Sequence, residues 1–183
     1  MADRIETGTF CVAAAITGGY LEIQNSNPKI IKTELDILKR AGVKIKAFDN
    51  KILIKGSKII KPIKNIKTKE WPGVATDIQS QLMVLMCKAN GESSITENIF
   101  ENRFLHVGEL QRLGAKIKIQ NNKATIQGNT KFIGAELMSS DLRASVALVL
   151  AAMISNGKSV INRIYHLDRG YENIEKKLRK IGV

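Results

Sequence analysis

The chain is poor in the residues that most often announce a site. Its 183 residues hold two cysteines, two histidines, one tryptophan and three prolines. Cys11 and Cys87 both lie in apolar stretches, TFCVAAAI and QLMVLMCKA, without CxxC spacing and without a histidine cluster nearby. This rules against a disulfide framework or a metal site, and buried free thiols in a reducing compartment are expected. No HExxH, nucleophile elbow or glycine-rich phosphate loop is present, so His106 and His166 are read as satisfied structural histidines. The longest unbroken apolar run, residues 146–154, is far short of the about 20 residues that a helix needs to cross a bilayer. No signal peptide is visible, and a soluble, cytoplasmic protein without a membrane partner is expected. Aromatic residues make up only 5%, which leaves few platforms for stacking on single-stranded nucleic acid.

What the chain has in excess is positive charge. The formal net charge is +12, which invites RNA or another polyanion as partner. The lysines alternate with isoleucine, however, as at Lys44 and Lys46 or Lys116 and Lys118, the pattern of a half-buried strand with a wet outer face. A solvated face is preferred over a nucleic-acid surface, and anionic small molecules remain suitable ligands.

The chain also nearly repeats itself. Residues 35–56, LDILKRAGVKIKAFDNKILIKG, align without a gap on residues 107–128, VGELQRLGAKIKIQNNKATIQG, with ten of 22 positions identical at an offset of 72. A partial third copy, EKKLRKIGV, occupies residues 175–183. Repeats of this length are usually whole supersecondary units that cannot bury their apolar faces alone. Each copy reads as an apolar helix (residues 7–19, 77–91 and 141–157), a strand, an amphipathic helix closing on Gly42, Gly114 or Gly182, and in the first two copies a hairpin. The apolar helices lack a polar face, belong in an interior, and are expected to cap on Gly19, Gly91 and Gly157. The hairpins turn at Asp49-Asn50 and Asn121-Asn122, residues that suit the positive φ of two-residue turns. Residues 64–68 and 135–138 are further candidate strands. The expected architecture is α/β: an inside-out α/β barrel domain of three βαβαββ repeats, the first and third truncated. One domain over residues 1–183 is expected, with units at about 3–70, 71–138 and 139–183, and both ends resemble cut surfaces.

Equivalent points of the units hold the candidate chemistry. Asp77 and Asp141 open the second and third apolar helices, with Thr7 or Thr9 as the loose counterpart in the first; an ordinary N-cap accounts for both aspartates equally well. Arg103 and Arg169 enter the amphipathic helices, where a guanidinium beside free backbone N–H groups suits phosphate or carboxylate. Salt bridges to Glu101 and Glu172 are the plainer alternative.

DRIETGTF (3–10), TDIQSQ (76–81), ITENIFENRFLHVGELQRLGA (95–115), DLRAS (141–145) and RIYHLDRGYENIEKKLRKIG (163–182) resemble, in order, the carboxy-terminal half of the enolpyruvyl transferases that act on UDP-N-acetylglucosamine. The relatives of the shikimate pathway share the fold with different motifs. The resemblance implies two inside-out α/β domains with the site in the cleft between them, this chain being one, and transfer of enolpyruvyl from phosphoenolpyruvate to the sugar 3-hydroxyl with loss of phosphate. By resemblance, Asp77 is the proposed general base. Ile99 lines the nucleotide-sugar site through its backbone, Arg103 and Arg169 face phosphoenolpyruvate, and Asp141 and Arg143 form a polar pair near the reacting centre. No cofactor and no metal are implied. The proton-donating cysteine or aspartate and the remaining cationic groups belong to an amino-terminal domain absent from this sequence, so the chain is expected to be inactive alone. Unpaired strand edges are expected to invite self-association.

Overall fold

The computed structural model describes residues 2–182. Three apolar helices pack together: α1 (Arg4–Thr17), α3 (Gln79–Cys87) and α5 (Leu142–Met153). All nine residues of α3 are buried, as a helix with no polar face requires. Leu82, Met83, Leu85 and Met86 are fully enclosed between α1 and α5, and burying each large apolar side chain stabilises the fold by about 1.5–3 kcal/mol.

The strands form three separate sheets around these helices. In the first, β1 (Tyr20–Gln24), β2 (Lys44–Phe48) and β3 (Lys51–Lys55) lie in the order β1-β3-β2, all antiparallel. The second has four strands, β4 (Ile66–Lys67), β5 (Glu92–Thr96), β6 (Lys116–Gln120) and β7 (Lys123–Gln127), ordered β4-β5-β7-β6 with β4 parallel to β5. The third pairs β8 (Glu136–Met138) with β9 (Val160–Asn162) in parallel. No closed barrel forms among the described residues. Alternating burial is clear in the central strands, where Ile52 and Ile54 of β3 and Ala124 and Ile126 of β7 are buried. On the edge strands β2 and β6 the lysines Lys44, Lys46, Lys116 and Lys118 are exposed as expected, but the apolar face is only partly covered: Ile117 is buried and Ile45 half-buried, whereas Ala47 and Ile119 are exposed.

The remaining helices are α2 (Lys32–Arg40), α4 (Val107–Arg112), α6 (Tyr165–Asp168) and α7 (Ile174–Lys180); α2 packs against α1, α4 and α6 against α5, and Ile174 and Leu178 of α7 cluster with Val146 of α5. The left-handed residue after α1 is Gly18, φ 73°, one position earlier than expected. α3 and α5 end at Cys87 and Met153, several residues before Gly91 and Gly157. Both hairpins turn over the two expected residues, pairing Phe48 with Lys51 and Gln120 with Lys123. A left-handed φ occurs at Asn121 but not at Asp49 or Asn50. The shared last residue of the two longer copies has a packing cause. A Cβ on Gly56 would strike the carbonyl of Ala14, and one on Gly128 would strike the carbonyls of Ala89 and Gly91. Only glycine lets the strand pass so close to the end of the preceding apolar helix.

Candidate active site

The helix starts separate two aspartates that the sequence leaves equivalent. Asp141 is the N-cap of α5: its Oδ1 accepts from the amides of Arg143, 2.8 Å, and Ala144, 3.1 Å. In α1 the same duty falls to Asp3, which accepts from Ile5 and Glu6 at 2.7 and 2.8 Å, rather than to Thr7 or Thr9. Asp77 caps nothing. A 3-10 turn, Thr76–Ile78, precedes α3, the cap position is Ala75, and no side chain closes it. Spared from capping, the Asp77 carboxylate turns to Arg143, whose Nε donates to Oδ1 at 2.5 Å while Nη2 meets the same oxygen. Oδ2 has no hydrogen-bond partner among the described residues, and the Asp77 side chain is 43% exposed.

Asp77 and Arg143 line a cavity of about 160 Å³ with Asp3, Glu6, Gly170 and Tyr171. Behind it, Gln81 ties the three apolar helices together. Its Nε2 donates to the Asp77 carbonyl at 3.1 Å, to Thr9 Oγ1 at 3.1 Å and to Tyr171 Oη at 3.3 Å. Its Oε1 accepts from Ser80 Oγ, which also reaches the Arg143 carbonyl. Burial pushes the Tyr171 phenol up to about 12, against the hydrogen bonds from Thr9 and Gln81, so the hydroxyl stays neutral. Gln81 and Tyr171 are not among the sequence-predicted site residues; a glutamine in an otherwise apolar helix is the signal that points to them.

The two arginines stand differently from expectation. Arg103 lies in turns ahead of α4, and Arg169 is the C-terminal cap of α6, five residues before α7, so neither occupies a helix N-terminus. An anion there cannot draw on free helix amides, and any binding rests on the guanidinium itself. Neither arginine makes an ion pair among the described residues, to Glu101 or Glu172 or otherwise. Arg103 instead stacks 4.4 Å over the Phe100 ring and lines a cavity of about 430 Å³ with Phe104 and Asn122. Arg169 is exposed and adjoins Gly170 and Tyr171 at the Asp77 cavity. Ile99 lines a third cavity beside Thr68 and Asn98. Its amide is already bound to Glu97 Oε1 at 2.9 Å, which leaves the carbonyl for a ligand. The structure thus joins Asp77, Asp141 and Arg143 directly, leaves Arg169 as the sequence neighbour of the cavity-lining Gly170 without a hydrogen bond or ion pair to them among the described residues, and sets Ile99 and Arg103 on a separate loop.

His106 corrects another expectation. It is buried, and its Nε2 has no hydrogen-bond partner among the described residues. Burial holds its imidazole down at about 4, although the Asp141 carboxylate and the Arg103 carbonyl favour the proton. His166 packs its ring 4.2 Å from that of Tyr165. Cys11 and Cys87 are buried free thiols, pushed up by burial to about 12. Among the described residues no group of histidine, cysteine and carboxylate side chains could hold a metal ion, and no helix is long and apolar enough to cross a membrane.

The chain matches known proteins over nearly its whole length. The family model for EPSP synthase (3-phosphoshikimate 1-carboxyvinyltransferase) matches residues 1–178. The UDP-N-acetylglucosamine 1-carboxyvinyltransferase of Pelagibacter ubique is 64% identical over 182 residues, covering 100% of this chain and 43% of the relative. That of Geotalea daltonii is 52% identical with the same coverage. Among solved structures, the enolpyruvyl transferase NikO from Streptomyces tendae superposes with a TM-score of 0.89 at 28% identity, covering 100% of this chain and 43% of that one. EPSP synthase from Acinetobacter baumannii shares the fold, with a TM-score of 0.81 at 20% identity over 97% of this chain and 45% of its own. The chain spans about 43% of the length of the curated relatives it matches.

Proposed function

The chain belongs to the family of EPSP synthase (3-phosphoshikimate 1-carboxyvinyltransferase), and from that membership we propose that it is one domain of a UDP-N-acetylglucosamine 1-carboxyvinyltransferase. The full enzyme transfers enolpyruvyl from phosphoenolpyruvate to the sugar 3-hydroxyl, an early step of peptidoglycan synthesis in the cytoplasm. The identity of 64% to a UDP-N-acetylglucosamine enzyme, against 20% to an EPSP synthase, favours the sugar nucleotide over a shikimate substrate. The basic-module alternative has less behind it, because the lysines lie dispersed along the outer faces of separate sheets.

The observation that carries the reading is the freed carboxylate of Asp77, with one oxygen on Arg143 and the other without a partner beside a cavity. In this role Oδ2 takes the proton of the sugar hydroxyl as its oxygen bonds to the alkene carbon that carries the phosphate. A proton reaches the neighbouring carbon from an acid on the missing domain, and the tetrahedral intermediate then expels phosphate while that same carbon gives up a proton, which restores the double bond in the transferred enolpyruvyl group. Arg103, Arg143 and Arg169 oppose the charge of the two anionic substrates, Asp141 fixes the first turn that carries Arg143, and the Ile99 carbonyl contacts the nucleotide sugar.

The three helices and three sheets belong, in this reading, to an inside-out α/β domain of three βαβαββ units over residues 1–183, the outer two incomplete. β5 has a neighbour on each side, whereas β1 and β9 each have one. The rest of the enzyme supplies the missing strands, and in its absence these edges pair with another copy. The test is a fusion of this chain to the part of the Pelagibacter ubique relative that it does not cover. Phosphate release requiring both substrates is expected from the fusion and none from the chain alone. A folded fusion that releases no phosphate, or turns over with shikimate 3-phosphate instead, refutes the assignment.

A further inference from the structure

One buried group lies outside the roles assigned so far. Glu97 follows β5 directly and is 3% exposed, yet it makes no ion pair among the described residues. A carboxylate in such a place is costly unless its lone pairs are filled. Here four donors fill them. Oε1 accepts from Thr68 Oγ1 at 2.8 Å, the Ile99 amide at 2.9 Å and the Phe100 amide at 3.3 Å. Oε2 accepts from Thr76 Oγ1 at 2.9 Å. The Glu97 backbone is itself fastened, donating to the Asn122 carbonyl at 2.8 Å and accepting from Asn122 Nδ2 at 3.0 Å.

These donors come from three stretches of chain. Thr68 extends β4, Thr76 opens the turn that holds Asp77, and Ile99 and Phe100 begin the loop that continues to Arg103. An apolar residue would avoid the cost of burial but would leave two amides and two hydroxyls to find other partners. One rigid planar group therefore sets the Asp77 turn and the Ile99–Arg103 loop at a fixed separation, and neither can shift without breaking bonds to the other. We propose that Glu97 is the positioning residue that holds the base and the substrate-contacting loop as a single unit. This rests on the transferase reading. It adds that proton abstraction and sugar-nucleotide contact share one buried anchor at the edge of the Arg103 cavity, which acts through the groups it holds.

The full 183-residue chain serves for amide exchange and the fusion described above for turnover. Glu97→Ala is expected to speed exchange at the Ile99 and Phe100 amides by about tenfold or more. It is expected to lower kcat by about 10²-fold, the effect of displacing a reacting group by roughly 1 Å. Glu97→Gln retains an oxygen for the three donors at Oε1, and the Thr76 hydroxyl can turn to accept from the amide, so this variant recovers most of the protection and the rate. Thr76→Val cuts only the tie to Asp77. It is expected to lower kcat by about tenfold with KM for the nucleotide sugar within about twofold, and it carries the test if Glu97→Ala fails to fold. Unaltered kcat in Thr76→Val overturns the proposal, as do unprotected Ile99 and Phe100 amides in the wild-type chain. A wild-type fusion that folds without turnover refutes the transferase reading instead, and the exchange data then judge the anchor by themselves.

Discussion

Replacing Asp77 by asparagine should separate function from stability. The partner of Asp77 is Arg143, and the two side chains are 43% and 32% exposed. Water screens a pair of this kind, so its contribution is about 0.2–1 kcal/mol. Asparagine keeps an oxygen for the Arg143 Nε and surrenders no cap, because Asp77 caps no helix. For a chain of this size 1 kcal/mol corresponds to roughly 2–4 °C, so the thermal midpoint should fall by no more than about 4 °C. Asp141→Ala removes a true cap and should cost about 1 kcal/mol from that alone. In the fusion, losing a general base should lower turnover by about 10²–10⁴-fold. The assays are far-UV circular dichroism on heating and continuous phosphate release at saturating substrates. A midpoint drop well beyond 6 °C would show that Asp77 is chiefly structural, and turnover within threefold of wild type would remove it as the base.

Three further outcomes follow from the packing. Cys11 and Cys87, with thiols held up to about 12 by burial, should not react with Ellman's reagent at pH 8 until denaturant is added, when both should. His106 is neutral in the fold down to about 4 but takes a proton near 6.5 when unfolded. The unfolded state therefore binds more protons between those values, and stability should decline as pH falls from 6.5 toward 4, by at most about 1.4 kcal/mol per pH unit. Urea denaturation across that range measures it, and His106→Gln should flatten the slope; equal slopes in the two proteins would exclude His106 as the source. Gly128→Ala drives a methyl into the Ala89 and Gly91 carbonyls and should cost at least about 1–3 kcal/mol in the same assay, whereas Gly108→Ala, where space is open, should be near neutral.

Much of the fold is legible because it rests on periodicity. The alternation at residues 51–55 and 123–127 gives strands with one buried face, and the absence of a polar face at residues 79–87 gives the buried helix. The helix ends were harder to read. Gly91 does adopt a left-handed φ of 138°, but α3 stops at Cys87 and the intervening residues bond elsewhere: the Asn90 amide reaches the Ile60 carbonyl at 2.7 Å and the Ala89 carbonyl accepts from Asn129 at 2.8 Å. A glycine marks where the chain reverses, and the helix can end earlier when tertiary partners take its last carbonyls. At Asp49-Asn50, likewise, composition marks the turn residues but not their φ, which stays negative at both.

The candidate site shows what pattern reading cannot decide. Asp77 and Asp141 occupy matching positions, and the N-cap rule applies to both with equal force. What distinguishes them is one turn of 3-10 helix before α3, which moves Asp77 off the cap position and leaves Ala75 there. No propensity announces that turn. It is held by Thr76 on the buried Glu97 just past β5, a tertiary contact, and by Gln81 on the Asp77 carbonyl, where Gln81 is itself fixed by Thr9 and Tyr171 from distant parts of the chain. The carboxylate then meets an arginine from α5, 66 residues away. Stability would be better served by a cap, worth about 1 kcal/mol, than by a half-exposed ion pair worth less. A fold that gives up the cap at only one of two equivalent aspartates, and anchors the resulting turn with buried polar groups, has set that carboxylate apart for something other than holding the helix.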